Sequence, residues 1–200
     1  MSTPIEQIQE QKKLLRKQLI ERRRKLTEQQ QALASRKLFN NLSTHEFFLS
    51  SQHITFTLAR DGEIDTLPLM LEAHRLGKHC YLPVMTTRDN VDLLVFREWQ
   101  PDISLATNSY GIDEPPGKEC SPADLDLVLL PLVGFDSSCN RLGMGKGYYD
   151  HTFAFIREEQ HDKPVLLGLA HECQRVERLE VASWDVPLSA IVTDQAWYRP

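Results

Sequence analysis

The segment "RLGMGKGYYD", residues 141–150, combines three glycines, two cations and a carboxylate. Glycines allow the backbone to approach a ligand closely and to adopt positive φ angles. Arg141 offers a planar fork of donors and Lys146 a mobile point charge, and both suit phosphate oxygens. Asp150 supplies a carboxylate, and magnesium at nucleotide sites is bound by one or two carboxylates together with phosphate oxygens. The segment therefore predicts a phosphate-binding loop with a metal ligand at its end.

Three known glycine motifs can be compared with this loop. The Walker motif requires Gly-Lys followed by Ser or Thr, whereas Lys146 is followed by Gly147. The dinucleotide fingerprint G-x-G-x-x-G is absent, because Gly143, Gly145 and Gly147 alternate strictly. The acetyltransferase pattern R-x-x-G-x-G fits through Arg141, Gly143 and Gly145, and that pattern also binds a pyrophosphate. A coenzyme A-dependent acyltransferase or a nucleotide-binding regulator therefore remains an alternative on these residues alone.

Further candidate ligands lie near both ends of the chain. Lys12, Lys13 and Arg16 belong to a cationic run close to the N-terminus. Lys12 and Arg16 are four residues apart and share one face of a helix, so they could bind the same phosphates as Lys146 if that helix covers the sheet edge. Asp185 could be the second magnesium ligand if the final strand returns to the same edge.

Hydrophobic periodicity predicts the elements that position these residues. Apolar residues at helical spacing up to Leu26 predict a first helix, and Thr27 with Gln30 has the form of a capping box that begins a second helix. Two more helices are predicted, over "TLPLMLEAHRLGK" and from Tyr148 to Gln160. Strands are predicted at "HITFTL", "CYLPV", "VDLLVF", "DLVLLPLVGF", "VLLGLA" and "AIVT". Residues 99–123 are predicted to form a long loop.

The alternation of strands and helices predicts an α/β fold. Residues 127–130 are all apolar, as in a parallel strand that is covered on both faces. We expect a single domain over residues 1–200, with a mostly parallel open sheet flanked by helices in a Rossmann-like three-layer sandwich. The glycine segment follows the apolar strand, at the carboxyl edge where open α/β sheets bind ligands.

Composition restricts the classes of partner. The net charge of −5 argues against broad binding to nucleic acid or anionic membranes. No apolar run approaches the roughly 20 residues that cross a bilayer, and "MSTPIEQIQEQKKLL" lacks the apolar region of a secretory signal. The four cysteines lack C-x-x-C spacing, which argues against a zinc ribbon. We expect a cytoplasmic monomer whose partners are small molecules, with neither nucleic acid nor membrane among them.

The sequence also resembles a known family. "LLPLVGFDSSCNRLGMGKGYYD" is similar to the signature of 5-formyltetrahydrofolate cyclo-ligases, also called methenyltetrahydrofolate synthetases. "KKLLRKQL", "DGEIDT", "NSYGIDEP" and "WDVPLSAIVTD" follow that family's order and spacing, so the resemblance spans nearly the whole chain. It implies conversion of 5-formyltetrahydrofolate and ATP to 5,10-methenyltetrahydrofolate, ADP and phosphate, with magnesium and a phosphorylated N5-formyl (iminium-phosphate) intermediate.

The resemblance also implies roles for individual residues. Arg141 and Lys146 would be catalytic by neutralising charge on the transferred phosphoryl group. Glu63, Tyr110 and Tyr149 would contact the folate, and Asp150 and Asp185 would bind magnesium. The residues implied to bind ATP are Lys12, Lys13, Arg16, Arg141, Leu142, Gly143, Gly145, Lys146, Gly147, Tyr148 and Tyr149.

Overall fold

The chain folds around an eight-stranded sheet, and the computed structural model describes residues 4–158 and 163–200. The helices are α1 (Pro4–Arg24), α2 (Glu28–Leu42), α3 (Glu46–Ser50), α4 (Leu67–Arg75), α5 (Tyr148–Thr152) and α6 (Phe155–Glu158). The strands are β1 (His53–Thr55), β2 (His79–Arg88), β3 (Val91–Trp99), β4 (Ala106–Thr107), β5 (Asp113–Glu114), β6 (Glu119–Cys120), β7 (Leu127–Pro131), β8 (Gly134–Phe135), β9 (Arg141–Leu142), β10 (Val165–Leu169), β11 (Ala190–Val192) and β12 (Trp197–Tyr198). Among the described residues, none of the helices combines the length and the apolar character that a membrane crossing requires.

The central part of the sheet is parallel. The strand order is β12-β11-β10-β7-β1-β2-β3-β6. The five strands from β11 to β2 pair in parallel, whereas β12, β3 and β6 are antiparallel to their neighbours. The predicted α/β fold with a mostly parallel open sheet flanked by helices is therefore confirmed. The single domain over residues 1–200 stays a prediction.

The position of β7 in the sheet explains why its sequence is apolar without interruption. Leu127 and Leu129 face a cluster that includes buried residues of α2, α3 and α4. Val128 and Leu130 face the opposite cluster, which includes Phe153 at the end of α5. All four β7 residues are at most 1% exposed. Both faces of the strand are thus covered, as in the middle layer of a three-layer structure.

Several predicted elements differ from the observed ones, and the predicted long loop over residues 99–123 contains the short strands β4, β5 and β6. The strands "CYLPV" and "VDLLVF" are longer than expected and form a β2–β3 hairpin, because Asp89 and Asn90 both adopt positive φ and close a two-residue turn. The helix predicted from Tyr148 ends at Thr152, since the following backbone leaves the helical conformation where the Phe153 side chain is buried. The helix resumes over Phe155–Glu158, and Gln160 lies outside the described residues.

Helix α1 packs at the carboxyl end of the central strands. Leu19 is completely buried in a small cluster with Val133, Leu142 and Leu179. Gly134 admits this leucine, because a Cβ at that position would lie 2.4 Å from Leu19 Cδ1. The first helix therefore covers the edge at which β7 ends.

Candidate active site

Two loops meet at the carboxyl edge of the sheet. The Glu63 loop (residues 59–65) leads from β1 to α4, and the glycine loop (residues 143–147) connects β9 to α5. Strands β1 and β7 are parallel neighbours, so they end at the same edge. The short β8–β9 ribbon that carries Arg141 follows β7 directly. This topology brings the two loops to the edge where open α/β sheets bind their ligands.

The glycine loop presents free backbone and an exposed cation. Gly145 and Gly147 adopt positive φ, at 96° and 72°. Lys146 lies exposed between them, and Met144 is 64% exposed beside it. The loop therefore exposes one ammonium and the backbone around Gly145 to solvent, where a ligand can reach them.

Arg16 reaches the glycine loop from α1. Its Nε donates to Gly143 O at 2.8 Å, and a Cβ at Gly145 would lie 3.2 Å from its Nη2. Burial lowers the pKa of Arg16 from its usual 12.5, and a guanidinium remains charged at such values. Lys12, one turn earlier, is half-buried, whereas Lys13 is exposed and pairs with Glu10 at 3.5 Å. Of the three predicted α1 cations, Arg16 is therefore the one in hydrogen-bond contact with the loop.

Arg141 and Asp150 form a partly buried ion pair beside the glycine loop. Arg141 donates both to Asp150 Oδ1 and to Val186 O. The same Asp150 oxygen accepts from Val186 N at 2.9 Å. Asp185 precedes this contact in the chain, and its Oδ2 accepts from Ala182 N at 2.9 Å within its own turn. The two predicted metal ligands thus lie in adjacent segments.

The carboxylates beside the glycine loop are too few to bind a magnesium ion by themselves. Within residues 4–158 and 163–200, no group of three or more His, Cys, Asp or Glu side chains could hold a metal. Magnesium at phosphate-binding sites needs only one or two protein carboxylates, because substrate phosphates and water complete its octahedral shell. The carboxylate of Asp150 therefore fits an ion that arrives with a polyphosphate, and does not fit a cage built from protein ligands alone.

Glu63 interacts electrostatically with Tyr149, which lies in α5 directly after the glycine loop. Glu63 Oε2 accepts from Arg60 N at 3.2 Å. Burial raises the pKa of Glu63 above its usual 4.5, while Arg23 opposes the rise. Burial also raises the pKa of Tyr149, and the Glu63 carboxylate raises it further. The Tyr149 ring is fixed by stacking on Phe153, with centroids 6.4 Å apart. A carboxylate from the Glu63 loop and a phenol from α5, the helix that follows the glycine loop, thus share one environment.

Tyr110 lies beside this environment on an exposed turn. Tyr110 is 66% exposed, and its amide donates to Asn108 Oδ1 at 2.9 Å. The turn approaches the Glu63 loop, since a Cβ at Gly111 would lie 3.5 Å from Arg60 Nη2. Burial, Asp92 and Tyr110 together raise the pKa of Tyr148. Tyr110 is therefore near both loops and accessible to a ligand.

Two buried polar residues under the Glu63 loop were not among the predicted site residues. Arg23 is 1% exposed and lies against Glu63, and His171 is 2% exposed with its Nε2 3.2 Å from Gly62 O. A signal for Arg23 was present, because Leu15, Leu19 and Arg23 are spaced by four residues. That spacing puts a cation on the apolar face of α1. The sequence offers no comparable signal for His171.

The chain matches one family and its solved structures. The sequence model of the 5-formyltetrahydrofolate cyclo-ligase family matches residues 8–194. The chain is 39% identical over 176 residues to 5-formyltetrahydrofolate cyclo-ligase of Escherichia coli (strain K12), with 86% of this chain and 94% of that protein covered. It is 27% identical to 5-formyltetrahydrofolate cyclo-ligase of Mus musculus, with 92% and 94% covered.

The fold comparison agrees with the sequence comparison. The structure of Aquifex aeolicus 5,10-methenyltetrahydrofolate synthetase superimposes with a TM-score of 0.78 at 31% identity, over 94% of this chain and 92% of that one. A synthetase of the same description from Mycoplasma pneumoniae has the same fold, with a TM-score of 0.71 at 22% identity. From the family match and the identity to the bacterial protein, the chain belongs to the 5-formyltetrahydrofolate cyclo-ligase family.

Proposed function

We propose that this protein is an ATP-dependent ligase that converts 5-formyltetrahydrofolate to 5,10-methenyltetrahydrofolate, with release of ADP and phosphate. The observation that carries the proposal is the meeting of two unlike loops at one sheet edge. One is a cationic glycine loop in contact with Arg16, and the other carries the Glu63 carboxylate close to Tyr149. The relatives named as cyclo-ligases and synthetases give the chemistry that such a pair would perform.

The glycine loop would hold the triphosphate. Lys146 is exposed at its tip and Arg16 is fixed against its backbone, so both could neutralise phosphate oxygens. Arg141 would need to exchange part of its contact with Asp150 for the nucleotide. Phosphoryl transfer requires mainly positioning and charge neutralisation. For this reason the reaction needs no serine or cysteine nucleophile among the site residues.

The Glu63 loop would hold the folate. The proposed reaction begins when the N5-formyl oxygen takes the γ-phosphoryl group and ADP leaves. N10 then attacks the formyl carbon, the carbon–oxygen bond breaks with loss of phosphate, and N10 gives up its proton. A partly buried carboxylate suits recognition of pterin N–H donors, and the exposed Tyr110 ring suits stacking on an aromatic system. We assign no general base for the N10 proton.

Magnesium would join the nucleotide to the protein through Asp150, with Asp185 in the adjacent segment as the second candidate ligand. When bound, the ion would neutralise charge on the phosphate oxygens during transfer. Asp150→Asn should raise the magnesium concentration required for half-maximal activity, whereas Ser183→Ala, in the neighbouring exposed loop, should leave it unchanged.

The decisive experiment follows formation of the methenyl product by its near-ultraviolet absorbance. The purified chain should form it only when ATP, Mg²⁺ and 5-formyltetrahydrofolate are all present, and each omission should abolish the signal. Turnover without ATP would refute the proposal. Family membership favours this ligase over the acyltransferase and regulator alternatives, and tighter binding of acetyl-CoA than of ATP would reverse that preference. The monomeric state and the cytoplasmic location stay predictions.

A further inference from the structure

The Arg23 guanidinium, from the last turn of α1, is buried beneath the Glu63 loop. The residue is 1% exposed, and arginine is seldom fully buried unless it is paired. Its Nε donates to Asp61 O at 2.8 Å, and its Nη1 donates to Leu132 O, next to the end of β7, at 3.3 Å. Its Nη2 lies 3.6 Å from Asp61 Oδ2 and 3.4 Å from Glu63 Oε1. One side chain therefore joins α1, the Glu63 loop and the central strand.

These contacts hold the Glu63 carboxylate from two sides. Glu63 Oε1 faces Arg23, and Glu63 Oε2 accepts from Arg60 N at 3.2 Å. Asp61, the other carboxylate near Arg23, also pairs with the exposed Arg24. Without Arg23, Glu63 Oε1 would lose its cationic partner, and the carboxylate would keep the single contact of Oε2 with Arg60 N.

The backbone of the loop is docked on the same turn of α1. At Gly62, a Cβ would lie only 3.0 Å from Arg23 O. Gln31 Nε2, from α2, donates to Arg23 O at 3.3 Å and to Gly62 O at 3.2 Å. The end of α1 and the Glu63 loop therefore form one packed unit.

The other functional contact of α1 lies two turns earlier. Arg16 donates to Gly143 O in the glycine loop. Arg16 and Arg23 are seven residues apart and share one side of the helix, which separates them by about 10 Å along the axis. Leu19 anchors the helix between them and is completely buried. A single rigid element thus contacts both loops.

We propose that Arg23 is a positioning residue that fixes Glu63 for the folate, and that α1 sets the spacing between the two ligand-binding loops. The inference rests on the proposed function. Within the described residues Arg23 contacts the Glu63 loop but not the glycine loop, so its loss should affect the folate more than the nucleotide. Loss of Arg16 should have the opposite preference.

The test measures KM for 5-formyltetrahydrofolate, KM for ATP and the urea unfolding midpoint for four variants. Arg23→Gln should raise the folate KM by at least about tenfold, which corresponds to the loss of roughly 1.4 kcal/mol of binding, with less than about a threefold rise in the ATP KM. Arg16→Gln should affect mainly the ATP KM. Arg24→Gln is the matched control, because it removes an exposed partner of the same Asp61, and it should change neither KM. Arg23→Lys should restore part of the folate affinity.

Each result decides the matter. Equal rises in both KM values for Arg23→Gln, or unchanged KM values with a lowered unfolding midpoint, would show a purely structural role and overturn the inference. If Arg23→Gln fails to fold, Arg23→Lys decides by the ratio of the two KM changes. An inactive wild-type protein would refute the proposed function itself, whereas an active wild type with Arg23 variants of unchanged folate KM would refute only the role of Arg23.

Discussion

Gly62→Ala should destabilise the protein more than a matched glycine substitution elsewhere. Gly62 has φ of +76°, and its added Cβ would lie 3.0 Å from Arg23 O and 3.3 Å from Arg24 N. Gly77, after the end of α4, has φ of +74°, and nothing lies within 4 Å of its added Cβ. The two substitutions thus carry the same backbone cost and differ only in what the methyl group meets.

The expected losses of stability follow from the backbone cost and from the crowding that the methyl group causes. A left-handed conformation costs an L-residue about 1–2 kcal/mol, and the lower entropy of the unfolded Ala chain returns about 0.4–1 kcal/mol. Gly77→Ala should therefore cost about 1 kcal/mol. At Gly62 the obstructing atoms are backbone and cannot change rotamer, so a crowding cost of about 1–3 kcal/mol is added. The total for Gly62→Ala is about 2–4 kcal/mol.

Urea unfolding, followed by circular dichroism, measures both free energies on the same protein. We expect Gly62→Ala to lose at least about 1 kcal/mol more than Gly77→Ala. The folate KM should also rise for Gly62→Ala alone, because the Glu63 loop must move away from α1. Equal destabilisation by the two variants would refute the claim that the loop is docked on the end of this helix.

Three further predictions concern the site and its support. Lys146→Ala should lower kcat/KM by about 30- to 1,000-fold, or about 2–4 kcal/mol, if its ammonium stabilises the charge on the transferred phosphoryl group. Lys17→Ala, at an exposed position of α1, is the control. An equal loss in both variants would contradict the role of Lys146. Thr152→Val should cost about 1–3 kcal/mol in urea unfolding because the buried amide of Leu94, 2.8 Å from Thr152 Oγ1, would lose its acceptor; an unchanged midpoint would show that the amide finds another partner. Burial raises the pKa of Glu63 in the folded protein above its usual 4.5, so the resulting stability is present below pH 4.5 and is lost as the pH rises through the folded value. The free energy of unfolding of the wild type relative to Glu63→Gln should therefore fall as the pH rises above about 4.5, and a rise instead would show that Arg23 outweighs burial.

Local signals in the sequence predicted much of the scaffold. The Thr27–Gln30 capping box is confirmed, with Gln30 N donating to Thr27 Oγ1 at 3.2 Å and Thr27 N to Gln30 Oε1 at 2.8 Å. The apolar run of β7 correctly indicated a strand buried on both faces. Such features depend on residues close together in the chain or on burial alone, so the spacing of polar and apolar residues is sufficient to predict them.

The features that the sequence did not predict depend on contacts between distant segments of the chain. The spacing of Arg23 from Leu19 indicates the apolar face of α1, but the partners that bury its charge are carbonyls and carboxylates 38 or more positions away. The break after Thr152 depends on where the Phe153 ring is buried, which helix propensity does not report. The roles of Lys146, Asp150 and Asp185 came from residue type and position, those of Glu63 and Tyr110 came from the family resemblance, and all of them stay predictions.

The contacts of α1 have a consequence for synthesis. Arg16 bonds a carbonyl 127 positions later and Arg23 one 109 positions later, so the first helix emerges from the ribosome long before its partners. At about 5–20 residues per second, the wait for the glycine loop is on the order of 6–25 s. During this interval Leu19 lacks the residues that bury it, and Arg23 can contact the Glu63 loop but not Leu132. A nascent chain stalled before residue 132 should therefore expose a helix that chaperones or proteases can reach, and the two loops acquire their mutual spacing only late in translation.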